Sequence, residues 1–277
     1  MSTAPVLDLA REKTYAASLA RAFGGALIFV FPLLMTMEMW AFGMAMEPVR
    51  LIAFVVLALP LIYGLSDYAG FNAQRGWRNN LFNTLTALAV GFATATAFLA
   101  LFGLLGPEVA PGDAISRITL QAVPAAIGAN LARRLLGAGV YEGDEGDEDT
   151  ASYFGELFLM AAGAVVLAFN VVPTEEIVLI GYQMAAWQIL LLALLSIALL
   201  HALVFSVGFA GQHDAGRPGA ALFQFTFVGY AIALLTSLFM LWVFGRLDGQ
   251  TPSAIVATTV VLAFPASLGA AVARLLV

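Results

Sequence analysis

Polar residues along this chain are gathered into short runs, and between them the sequence is almost unbroken hydrocarbon. Apolar stretches fall at 19–43, 49–66, 81–105 and 114–136, then at 154–172, 184–210, 219–244 and 252–276. Each is close to the ~20 residues a helix needs to cross a hydrocarbon layer of ~30 Å. The breaks hold turn formers and charge: Glu47 and Pro48, then 75–80, 107–113, 212–218 and 246–250. The pattern predicts an all-α, polytopic membrane protein of eight transmembrane helices.

Self-similarity adds a second level. AVPAAIGANLARRLL at 122–136 aligns without gaps to AFPASLGAAVARLLV at 263–277, with eight of fifteen positions identical. The shared residues include Pro124 and Pro265, Gly128 and Gly269, and Arg133 and Arg274. The same shift, drifting by a few residues, pairs Thr36 and Glu38 with Thr174 and Glu176, and Phe102-Gly103 with Phe244-Gly245. Two four-helix halves are therefore expected, and an even number of spans per half makes the repeats parallel. The organisation read from this is an N-terminal segment 1–17, a first membrane repeat 18–137, an acidic linker 138–153 and a second membrane repeat 154–277. Small residues at four-residue spacing, Ala125 with Ala129 and Gly128 with Ala132, recur as Ala266 with Ala270 and Gly269 with Ala273, which suits close helix approach in lipid.

Composition supports the membrane assignment: 61% of residues are hydrophobic and 11% charged, against roughly 25% charged in soluble domains. Segment 1–17 carries Asp8, Arg11, Glu12 and Lys13 and lacks a small-residue cleavage site, so the first helix is expected to stay. Nine basic residues (Arg11, Lys13, Arg21, Arg75, Arg78, Arg133, Arg134, Arg217, Arg274) fall on the side of the termini. Three, Arg50, Arg117 and Arg246, fall on the other. By the positive-inside rule both termini are expected in the cytoplasm. The net charge of -6 comes mostly from 142–149 and offers nucleic acid no basic patch.

Candidate chemistry is sparse. Cysteine is absent and the histidines are only His201 and His213, so thiolate metal sites, iron–sulfur clusters and histidine-pair haem sites are not expected, nor any cofactor. No nucleophile–base set or HExxH motif is present, so an enzyme is not expected. Ionisable groups at the edge of spans are costly and become functional candidates. Glu38 and Glu176 lead, each two residues after a threonine, Thr36 and Thr174. One reading turns them toward a shared vestibule. The other makes VPTEE at 172–176 the start of a short interfacial helix, with its counterpart near 36–46, and the carboxylates its first-turn charges. Asn170 matches Pro32 at mid-helix, where irregular backbone lines sites in transporters. His201, paired with Tyr63 across the repeat, is either a proton relay or a structural imidazole.

FPLLMTMEMW at 31–40, NVVPTEE at 170–176 and the duplicated eight-span plan resemble a family of bacterial integral membrane proteins of unknown function. The resemblance implies a bacterial inner-membrane location and this fold, and brings no substrate, cofactor or catalytic residue. The expected function is a small ion channel or ion- or proton-coupled transporter with its pathway between the halves, through Glu38, Glu176, Thr36, Thr174, Asn170 and His201. The alternative is a lipid-binding or scaffold protein. Membrane lipids, small ions and a second copy of the chain are the partners compatible with this reading.

Overall fold

The computed structural model describes residues 9–69, 76–136, 153–206 and 222–275. The linker 138–152 and the runs 70–75 and 207–221, with His213, Arg75 and Arg217, lie outside the described residues. Among the described residues the chain is helical throughout: α1 (Leu9–Leu34), α2 (Met37–Ala45), α3 (Pro48–Ala69), α4 (Trp77–Leu101), α5 (Pro111–Leu136), α6 (Tyr153–Val171), α7 (Glu176–Gln183) and α8 (Ala186–Ser206). A π-helical turn (Leu222–Phe227) then leads into α9 (Val228–Val243), and α10 (Pro252–Leu275) closes the order. One short helix follows the first long helix in 9–136 and again in 153–275.

Seven of these helices are long and apolar enough to cross a membrane. The expected span at 114–136, now α5, does not reach that mark. Its polar residues, among them Arg117, Gln121 and Asn130, lower its hydropathy, and it is surrounded by other helices: every residue from 120 to 130 is buried. A helix in that position can carry Arg117, Gln121 and Asn130, all buried, because no lipid touches them. α1, α2, α3 and α4 all pack on it, and in the second part α6, α7, α8 and α9 pack on α10.

Glycine decides how closely these helices approach. A Cβ on Gly25 would overlap the Gly128 carbonyl, and one on Gly128 the Gly25 carbonyl. Gly163 and Gly269 stand in the same reciprocal relation. α1 therefore crosses α5 backbone to backbone, and α6 crosses α10 likewise, the packing that small residues permit where no hydrophobic effect drives association. Short α2 lies across α5 with Gly43 2.8 Å, in would-be Cβ terms, from the Arg117 Cα, and α7 lies across α10 with Gly181 at 2.8 Å from Thr258 Oγ1. Between the two parts contact is thin: α3 touches α6 and α9.

Candidate functional site

The end of the bundle that bears α2 and α7 gathers Glu38, Glu47, Arg50, Glu175, Glu176, Arg246 and Asp248. α1 stops at Leu34, and Thr36 Oγ1 donates back to the Leu33 carbonyl at 2.7 Å. α6 stops at Val171, and Thr174 Oγ1 donates to the Val171 carbonyl at 2.8 Å. In both places the chain restarts as a short helix with a first-turn carboxylate, Glu38 or Glu176, where the helix dipole favours negative charge. Neither N-cap residue, Thr36 or Glu175, makes a side-chain capping bond.

Both carboxylates act on one arginine. Gly245, at φ 66°, ends α9 in a left-handed turn in which the Arg246 N–H donates to the Leu241 carbonyl at 2.9 Å. The same turn closes α4, with Gly103 at φ 73° and the Leu104 N–H on the Leu99 carbonyl at 2.8 Å. The turn delivers Arg246 beside α7. Its guanidinium donates to the Pro173 carbonyl, stands 3.8 Å from Glu175 Oε1 and lies 4.8 Å over the Phe42 ring. Burial holds the Arg246 pKa below its ordinary value, against the attraction of Glu175, Glu38 and Glu176. Glu38 thus comes from the first part, Glu175 and Glu176 from the second.

A second arginine crosses in the other direction. Arg50, in the first turn of α3, donates to Asp248 at 2.8 Å, pairs with Glu47 at 3.3 Å and lies 5.7 Å from the Trp242 ring centre. Beneath these two clasps runs a chain of four aromatic rings whose ends come from the first part and whose middle two come from the second. Phe42 meets Phe244 edge-on at 5.0 Å, Phe244 meets Phe169 at 5.6 Å, and Phe169 stacks on Phe54 at 5.3 Å. Ring pairs in these geometries are worth ~0.5–1.5 kcal/mol each beyond their buried area, so this layer outweighs any one exposed ion pair above it.

Below the rings the seam turns apolar. Asn170 borders a slit of about 10 Å³ with Phe29, Phe54 and Phe169, and its amide donates to its own helix at the Val166 carbonyl, 2.8 Å away. Next comes a half-open cleft of about 190 Å³ that shares Phe29 and Val166 with the slit. On the α2/α7 end, Glu175, Glu176, Tyr182, Arg246 and Gln250 border a shallow recess of about 560 Å³.

Of the residues expected from sequence, Glu38, Glu176, Thr36 and Thr174 lie together at this end, and Asn170 lies directly beneath the rings. His201 lies apart, inside α8, with Nδ1 2.9 Å from Thr226 Oγ1 on the π-helical turn. Tyr63, its suggested counterpart, is exposed on α3. Arg246, Arg50 and Asp248 were not among the candidates. A signal for them existed: Arg50, Arg117 and Arg246 are the three basic residues on the sparse side, and all three are engaged at this end. Arg117 donates to the Leu104 carbonyl at 2.6 Å and to Met44 Sδ at 2.8 Å.

No match was found among curated proteins or among solved structures. The seven apolar helices and the lipid-facing surfaces they present are those of a protein embedded in a membrane. A family profile agrees across residues 18–277, and the chain belongs to the integral membrane protein family DUF2391.

Proposed function

We propose that this chain is a membrane carrier made of two duplicated four-helix halves, eight spans in all, and that it works by parting and closing the seam between them. The fourth span of the first half is α5, shielded from lipid by its neighbours. The observation that carries the reading is the asymmetry of the seam. At the α2/α7 end the halves are clasped by Arg246 over the Phe42 ring, by Arg50 on Asp248 and by the ring pairs Phe42–Phe244 and Phe54–Phe169, while further in a cleft stays open. Exposed ion pairs contribute ~0–1 kcal/mol each, weak enough for a latch that must open. In this reading the terminal side, and with it the open cleft, faces the cytoplasm of a bacterial inner membrane, and the basic-residue distribution supports that orientation.

The chain contains no cysteine, so paired labels can be introduced without background. Spin labels at Met37→Cys on α2 and Gln183→Cys on α7, both exposed sites, read the width of the clasped end in lipid nanodiscs. Two distance populations are expected, with the longer one gaining in Arg246→Gln. One narrow population, unmoved by that substitution, would refute the carrier.

A second reading, proton or cation handling, is favoured by the gathering of Glu38, Glu175 and Glu176 on a single arginine. It predicts cation or proton flux in proteoliposomes that is lost in the Glu38→Gln, Glu176→Gln double variant. The apolar lining of the seam gives a small ion little to exchange for its hydration shell.

A further inference from the structure

The cleft between the halves names a class of ligand. Its walls are Phe29, Leu65 and Leu131 from one half, with Leu159, Val166 and Val272 among those from the other, and the remainder are alanine, glycine and leucine. No lining side chain carries a hydrogen-bonding group. Water there would find no partners, and apolar cavities of comparable size stay dry yet accept apolar ligands. Of the helices that enclose it, α1, α3, α6 and α10 are candidate spans and α5 adds Leu131, so its open side faces hydrocarbon and not solvent. Leu65, Leu131 and Val272 lie toward the C-terminal ends of their helices and Leu159 near the start of α6, on the side away from α2 and α7, while Phe29, Val166 and Leu167 carry the cleft inward to the phenylalanine layer.

The geometry points to this cleft as a binding site for one acyl chain of a membrane phospholipid, entering sideways from the leaflet on the terminal side. At about 190 Å³ it holds a chain segment of roughly six methylene groups, taking each as about the size of a water at ~30 Å³. The rigid back wall comes from Gly163 and Gly269, whose backbones touch and leave no side chain to fill the space. The phenylalanine layer ends the site on the far side, so the chain tip stops below Phe54 and Phe169. This inference rests on the carrier reading only for its consequence, that the phospholipid is the cargo; binding itself needs no motion.

The test uses the full chain in nanodiscs that contain phosphatidylglycerol with a photoreactive diazirine near the end of one acyl chain. Labelled peptides are mapped by mass spectrometry. Adducts are expected on the seam segments of α5, α6 and α10, in excess over α8, whose Leu190, Leu191 and Leu194 are exposed to lipid and report plain annular contact. Ala162→Phe and, separately, Val166→Trp fill the cleft from two positions. In each folded variant seam labelling should fall about tenfold, the loss expected for contact with about two methylene groups, while α8 labelling is unchanged. Equal labelling of seam and α8, or seam labelling indifferent to both substitutions, would overturn the site. A free fatty acid that displaces the phospholipid adducts at low mole fraction would overturn the assignment to phospholipid. Seam labelling with the single narrow spin-label distance described above would keep the site and discard the carrier.

Discussion

Gln121 is the least comfortable side chain in the bundle: fully buried on α5, with neither its Oε1 nor its Nε2 bonded to another group. A buried amide without partners costs on the order of 1–3 kcal/mol, and an apolar residue of similar shape removes that cost. Gln121→Leu is therefore expected to raise stability in detergent by about 1–2 kcal/mol, read as a higher unfolding midpoint; a drop would mean that the amide has a partner in the membrane-embedded protein. Arg246 is better supplied, with a carbonyl, a carboxylate and a ring around it, although its Nε is buried without a partner. Its truncation leaves Glu38 and Glu176 without their shared cation, and Arg246→Gln should loosen the α2/α7 end, measured as faster amide exchange in α7, while the α8 interior is unaffected. Glu38 and Glu176 were legible in the sequence because they recur two residues after a threonine. Arg246 was not, because Pro173 and Glu175 lie more than seventy residues before it in the chain. Only the glycine turn that aims it, Gly245, has a local signature.

Among elements, the short helices and the crossings were readable to different degrees. The break after α1 and α6 follows from Thr36 and Thr174 folding back on their own helix ends, a local event that a threonine before a first-turn carboxylate announces. The role of α5 was half visible. Its small residues and their recurrence in the α10 sequence were plain, yet the burial that lets it carry Arg117, Gln121 and Asn130 comes from helices far away in sequence. The glycine crossings yield a sharp expectation. A Cβ on Gly269 would run into the Gly163 backbone, which cannot yield as a flexible side chain would. Gly269→Ala should cost about 1–3 kcal/mol through overpacking, and Gly128→Ala a similar amount at the α1 crossing. Gly112→Ala, at an open position near the start of α5, is the control and should be close to neutral. Thermal unfolding of the four proteins in one detergent gives the comparison.

At the scale of the whole molecule the parts 9–136 and 153–275 are held more firmly within themselves than to each other. Each is internally tight, built around α5 or α10, whereas between them the main helix contacts among the described residues are those of α3 with α6 and α9. The rest of the joint is the clasp and the four phenylalanines at one end and an open apolar cleft at the other. If each half is a folding unit of its own, 1–137 and 138–277 expressed as separate chains should both insert, since neither depends on the other for its central helix. Their reassociation then measures the joint directly. An affinity tag on one half should recover the other from mild detergent, because the ring pairs Phe42–Phe244 and Phe54–Phe169 and the packing of α3 hold across the joint. Phe244→Ala removes the ring that touches Phe42 and Phe169 together and should cut recovery about tenfold, equivalent to ~1.4 kcal/mol. Asp248→Asn touches only an exposed pair and should reduce it by less than about fivefold. The reverse order, with the charge change dominant, would move the grip of the joint from the aromatic layer to the ion pairs, and salt would then release the halves where it is otherwise expected to leave them joined.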